Sequence, residues 1–179
     1  MRTCPRRPRV PDQVGLELIA TQLGNAIPGS VLETSFFREQ AGVLVAPSSV
    51  RQVLSELKQN HGYRALMSVH GVDYYPEEPR LGVLYELLDM ERVDRITVKL
   101  RVPLDEPQVE SVTADWPTAN HQEREVYDMF GVEFHGHPDL RRILMPEDYE
   151  GHPQRRDFPI GGEPVLFTHN DATSPGWTR

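Results

Sequence analysis

Residues 120–159, NHQEREVYDMFGVEFHGHPDLRRILMPEDYEGHPQRRDFP, most constrain what this chain can fold into, because within them a helical pattern gives way to prolines and charge. Pro117 suits a first helical turn, Thr118 or Asn120 can cap it, and Gly131 can close it in left-handed geometry. At 3.6 residues per turn, Val126, Met129 and Phe130 make one apolar patch, while His121, Glu125 and Asp128 line up on another face. After Gly131 the alternation Val132, Glu133, Phe134 predicts a brief extended segment. Beyond it Pro138, Pro146, Pro153 and Pro159 each remove a backbone donor, so this part cannot build its own core and is predicted to run as an extended strap over another surface.

The strap interleaves Arg141, Arg142, Arg155 and Arg156 with Asp139, Glu147, Asp148, Glu150 and Asp157. Nearly balanced charge in a rigid, non-helical segment points to docking, since planar guanidinium groups bind carboxylates bidentately and fix register against a partner. The pattern therefore predicts that these arginines pair with acids across a subunit interface, and that the folded core is indifferent to their loss.

The core must come from the preceding residues. Leu16, Ile19, Ala20 and Leu23 fall at helical spacing behind Asp12 as cap, with Gly24 near the end. Residues 31–37 and 43–46 favour strands, and a polar turn over 38–42 makes them a hairpin. From Pro47-Ser48, Val50, Val53, Leu54 and Leu57 share a second helical face that His61-Gly62 stops. Three longer extended segments follow, 65–74, 81–88 and 95–104, divided by a Pro- and Glu-rich connection and by residues 89–94. In the last, Ile96, Val98, Leu100 and Val102 alternate with Thr97, Lys99 and Arg101, as expected of a strand with one packed and one wet face. The order α-β-β-α-β-β-β predicts an α+β two-layer sandwich, with helices on one face of a small, mainly antiparallel or mixed sheet, followed by a helix and the extended docking strap. Four parts result: a disordered basic arm (1–11), the α+β core (12–116), the signature helix with its docking segment (117–159), and a tail extended or disordered until bound (160–179).

With 179 residues, one domain plus tails is the expected organisation. No apolar run approaches the roughly 18 residues that a membrane span needs, so any membrane association is predicted to be indirect. The formal net charge of -8 disfavours general affinity for nucleic acid or anionic lipid. Only Arg2, Arg6, Arg7 and Arg9 break that sign, in an arm without the apolar core of a secretory signal. A nucleic-acid module built on it would bind in a salt-sensitive way. Cys4 is the single cysteine, whereas an iron-sulfur cluster takes about four thiolates and a disulfide two, so this chain alone supplies neither.

Glu123-Arg124-Glu125, Asp128-Met129-Phe130, His137, Arg141 and Ile143-Leu144, in this order and spacing, resemble the signature of one subunit family of respiratory complex I, the proton-translocating NADH-quinone oxidoreductase. That family is its thirty-kilodalton subunit. The continuation DYEGHPQRRDFP, with His152, Arg155, Arg156 and Asp157, resembles the second half of the same motif. About a dozen positions of mixed chemistry match; His121 stands where an aromatic is common and Tyr149 where Trp is common. The resemblance implies a small α/β core and an accessory, cofactor-free subunit of the peripheral arm that braces the quinone-site region. It implies FMN and iron-sulfur clusters in partner subunits. The partners it implies are chiefly the large quinone-site subunit and adjacent cluster-bearing subunits, on the cytoplasmic side of the cell membrane, or on the matrix or stromal side in an organelle. It also implies that Glu123, Arg124, Glu125, Asp128, His137, Arg141, Arg142, His152, Arg155, Arg156 and Asp157 form the signature and the subunit interface. The equivalent subunit of a related membrane-bound hydrogenase, or of another quinone-reducing complex, is the nearest alternative.

Two other chemistries compete on the residues themselves. His121, Glu125 and Asp128 resemble half a metal-binding helix, as a metal-dependent hydrolase would need. Arg124, beside Glu125 and one turn before Asp128, supplies a counter-charge that favours ion pairing over acid catalysis. His135, His137 and His152 match no zinc spacing, and the Gly-His-Pro context at His137 and His152 predicts turns whose imidazoles bond backbone carbonyls. There is neither a glycine-rich dinucleotide fingerprint nor a phosphate loop, and Trp116 and Trp177 are expected to pack rather than to stack on a base.

Overall fold

The computed structural model describes residues 12–159; the expectations for the basic arm, for Cys4, and for the tail from Ile160 with its Trp177 lie outside them. Helix α1 (Gln13–Ala26) begins where Asp12 caps it, the carboxylate accepting the Gly15 amide at 2.8 Å, and buries Leu16, Ile19 and Leu23. A single 3₁₀ turn at Pro47–Ser49 leads into α2 (Val50–Asn60), whose Val50, Val53, Leu54 and Leu57 are wholly buried. Strands β1 (Val31–Phe37), β2 (Gln40–Val45), β3 (Ala65–Asp73), β4 (Leu81–Asp89) and β5 (Asp94–Val102) form one sheet in the order β1-β2-β5-β4-β3. Every neighbouring pair is antiparallel except β2–β5.

Register explains why one face of this sheet is dry. Leu81, Val83, Tyr85 and Leu87 lie opposite Val102, Leu100, Val98 and Ile96, and all eight are buried. With a side-chain period of two, these residues share a face, and Thr97, Lys99, Arg101 and Glu86 share the other. The helices α1, α2 and α3 (Ala119–Phe130) join the dry face in a common core, to which α3 contributes Ala119 and Val126. The two-layer α+β architecture is as the sequence predicts, but the boundary at 116/117 does not divide the core: α3 is part of the helix layer.

Two local features depart from the pattern. The β1–β2 turn is two residues long, because Arg38 and Glu39 both take left-handed geometry (φ 49 and 61), so β2 starts at Gln40 inside the predicted turn. A second, two-stranded sheet pairs β6 (Gln108–Glu110) in parallel with β7 (Glu133–His135), burying Val109 and Phe134. The alternation after Gly131 predicts β7 within one residue; nothing in the sequence pattern announces β6. Trp116 packs as expected, its indole donating to the Arg64 carbonyl at 2.8 Å under the Lys58 ammonium.

Helix α3 lies close to β3 because residue 71 is glycine. A Cβ there would meet the Phe130 ring, with its Cε2 at 2.6 Å and its Cγ at 2.9 Å, so the ring would have to shift. Gly71→Ala should therefore lower stability by about 1–3 kcal/mol, read by denaturant unfolding. Combining it with Phe130→Leu should recover part of the loss, as expected for residues in contact; additive losses would contradict this packing.

Candidate functional site

An α-helix leaves its last four carbonyls without partners, and at α3 the strap supplies nearly all of them. Gly131, left-handed at φ 75, returns its own amide to the Tyr127 carbonyl at 2.8 Å. The Asp128 carbonyl accepts the His152 Nδ1–H at 3.0 Å, the Met129 carbonyl accepts the Gln154 amide at 3.2 Å, and the Phe130 carbonyl accepts Arg155 Nε at 2.7 Å. Arg155 also brings positive charge to the negative end of the helix dipole. Gly131 is required twice over, because a Cβ there would also strike Arg155 and His152.

Asp128 is the centre of this arrangement. Its side chain is fully buried; Oδ1 accepts Arg142 Nη1 at 2.7 Å, and Oδ2 accepts the amides of Ile143, Leu144 and Met145 at 3.0, 2.7 and 2.8 Å. Burial alone would push this carboxyl up, but the amide bonds, with Arg142, outweigh it and hold its pKa below the ordinary value. Arg142 reaches on to the Gly151 carbonyl at 3.0 Å and lies over Tyr149, which stacks on Phe158. The charged helix face thus turns inward at one residue and gathers the strap around it.

A second clamp holds the strap's far end to the sheet. Arg80, almost wholly buried just before β4, bonds bidentately to Asp73 of β3 (2.8 and 2.7 Å) and to Asp157 of the strap (2.9 and 2.7 Å). The Arg156 amide joins Asp73 at 2.8 Å, and its guanidinium donates to the Tyr75 carbonyl at 3.0 Å. Bonding from Arg80 keeps both Asp73 and Asp157 below the usual carboxylate range. Nothing in the sequence pattern points to Arg80 and Asp73 as a strap clamp, since their partners in the strap are 77 and 83 residues further along the chain.

Glu123, on the buried side of α3, fixes the loop before the helix. It accepts the Val112 amide at 2.8 Å and the Ser111 hydroxyl at 2.7 Å, and Ser111 contacts Thr113 at 2.8 Å. Burial, the largest influence, raises its pKa against these two bonds.

Several expectations are corrected by this geometry. Glu123 and Asp128 face no partner, being buried and bonded within the chain. The counter-charge of Asp128 is Arg142, whereas Arg124 donates to the carbonyls of Arg141 and Arg142 at 3.1 and 3.0 Å. His121 and Glu125 are exposed while Asp128 points inward, so these three do not converge on a metal position. Of the strap's arginines, predicted to meet a partner's acids, Arg142 pairs with Asp128 and Arg155 bonds the Phe130 carbonyl, whereas Arg141 and Arg156 are exposed, Arg141 paired to Asp139 at 2.9 Å and Arg156 bonded to the Tyr75 carbonyl. Indifference of the core to loss of Arg142 is therefore not to be expected. The histidines behave as the turn reading predicts: His137 Nε2 meets the Asn120 carbonyl at 3.2 Å, as His152 meets Asp128, while His135 pairs with Gln108 at 2.8 Å.

Comparison with known proteins agrees with this anatomy. Residues 43–164 match the family model described as respiratory-chain NADH dehydrogenase, 30 Kd subunit. The corresponding NADH-quinone oxidoreductase subunit of Roseiflexus castenholzii is 45% identical over 154 residues, 85% of this chain and 88% of the relative. Its counterpart in Saccharopolyspora erythraea is 40% identical over 172 residues, 94% of this chain and 69% of the relative. Among solved structures, a trypsin-resistant fragment (1–134) of Nqo5 superposes with TM-score 0.60 at 30% identity, covering 70% of this chain and 98% of the fragment. A chain of the membrane-bound sulfane sulfur reductase, an archaeal respiratory membrane complex, gives 0.68 at 28% identity, covering 80% and 85%.

Replacing Asp128 by Asn keeps the shape but sets an amide against donors and removes the charge that Arg142 meets. Asp128→Asn should cost about 3 kcal/mol or more and speed trypsin cleavage after Arg141 and Arg142. Because the Asp128, Asp73 and Asp157 pKa values are depressed on folding, their stabilisation is complete above the unfolded value near pH 4 and is lost as pH falls through the folded values. Glu123 has the opposite sign: its raised pKa gives stability that is lost as pH rises through the folded value. Unfolding measured from pH 3 to 8 should show a shallower acid loss in Asp128→Asn than in wild type; an unchanged profile would contradict the role given to Asp128.

Proposed function

The chain belongs to the 30 kDa subunit family of the respiratory-chain NADH dehydrogenase, and from that membership we propose that it is a structural subunit of the peripheral arm of complex I. Its relatives are subunits of NADH-quinone oxidoreductase, and the chain works as one part of such an assembly. The observation that carries this is a family match spanning both the sheet core and the pinned strap. A rigid two-layer core with an ordered extended segment clamped across it is the geometry of a brace.

Electrons pass elsewhere in the assembly. In support of this, one cysteine falls short of the thiolates a cluster takes, and of the signature's groups Asp128 is engaged by four donors and His152 and His137 by carbonyls. FMN and iron-sulfur clusters belong to the partner subunits, and the partner braced is the large subunit at the quinone site with its cluster-bearing neighbour. No described helix is long and apolar enough to cross a membrane; family membership supports attachment through the complex, on the cytoplasmic side. The likeness to a sulfane sulfur reductase chain supports a common brace in related respiratory complexes; the relatives' names favour NADH and quinone here.

Deleting the chain from its native host should abolish both assembled complex and NADH-quinone activity, and restoring it should recover both together. The chain purified alone should contain neither flavin nor iron. An assembled, active complex without the chain would overturn this function, and stoichiometric iron in the chain would overturn the cofactor-free reading.

A further inference from the structure

With Arg142 and Arg155 used within the chain and Arg141 paired to Asp139, the strap also presents an apolar feature outward. Ile143 and Leu144 are exposed, Leu144 at 60%, yet their backbone amides are fixed on Asp128. Three successive amide bonds, ending at Met145, fix the backbone that carries these exposed side chains. Next along the strap, Glu147, Asp148 and Glu150 are exposed, and none is in an ion pair with another described residue. The outward face is an apolar knob on a rigid base with a free acidic border.

We infer that Ile143 and Leu144 are the anchor by which this chain docks on another subunit of its complex, at an apolar pocket with a basic rim facing Glu147, Asp148 and Glu150. The inference rests on the function proposed above and specifies its contact. A knob already fixed in its bound geometry loses little freedom on docking, which is how a small contact becomes a strong one. Two other occupants are disfavoured by charge. An isologous contact between two copies would bring like acidic borders together, and an anionic lipid surface would meet the same carboxylates.

The test uses the assembled complex. With a photoreactive phenylalanine at position 144, illumination should link this chain to one other subunit; a link to a second copy, to lipid, or to nothing would overturn the inference. In the deletion host, Leu144→Glu should lower the amount of assembled complex at least tenfold while leaving the melting temperature of the isolated chain unchanged, since that side chain stands mostly in water. Assembly at the wild-type level with Leu144→Glu would overturn the anchor while leaving the proposed function standing. A wild-type chain found in no complex would remove both.

Discussion

The ordered strap depends on one buried carboxylate. Asp128 sits in the last turn of α3, where a charge without partners would be costly, and it is accommodated because Arg142 and three consecutive amides converge on it. The same loop then returns His152, Gln154 and Arg155 to the open carbonyls of the helix end. Helix end and strap therefore satisfy each other: the helix offers acceptors that its geometry leaves bare, and the proline-punctuated segment offers donors that no sheet or helix of its own can use. Neither half is complete alone.

This division of labour explains how a segment with no core can still be rigid. Its anchor points are polar and directional, at the C-terminus of α3 and at the Asp73–Arg80–Asp157 clamp, and the apolar core lies beneath, between the sheet and α3. Polar anchoring sets position more than it adds net stability, which suits a brace whose task is to hold a surface in place. It also leaves Ile143 and Leu144 exposed, while Leu140 of the same segment packs against the core.

Much of the fold was legible in the sequence because single-face burial writes its period into the chain. The alternation from Ile96 to Val102 and the spacing of Leu16, Ile19 and Leu23 or of Val50, Val53, Leu54 and Leu57 report directly on which side is dry. Strand β6 left no such trace, since three residues with one buried side chain carry no period. The turn at Arg38 and Glu39 was obscured because neither residue is the Gly or Asn that left-handed geometry favours. The signature residues were recognisable as a set, but their direction was not: a helical wheel puts Asp128 with His121 and Glu125, and only the strap's return shows it facing inward. Arg80 was invisible for a related reason, because ion pairs between distant residues have no signature in local spacing.

Whether Asp128 pins the strap to the chain's own core is tested most directly by amide hydrogen exchange. In the isolated wild-type chain, the amides of Ile143, Leu144 and Met145 should exchange far more slowly than those of an unbonded exposed loop, and Asp128→Asn should release all three together while β4 and β5 remain protected. Rapid exchange of those three amides in the wild-type chain would contradict the pinning, and would mean that the strap takes its shape only from a partner.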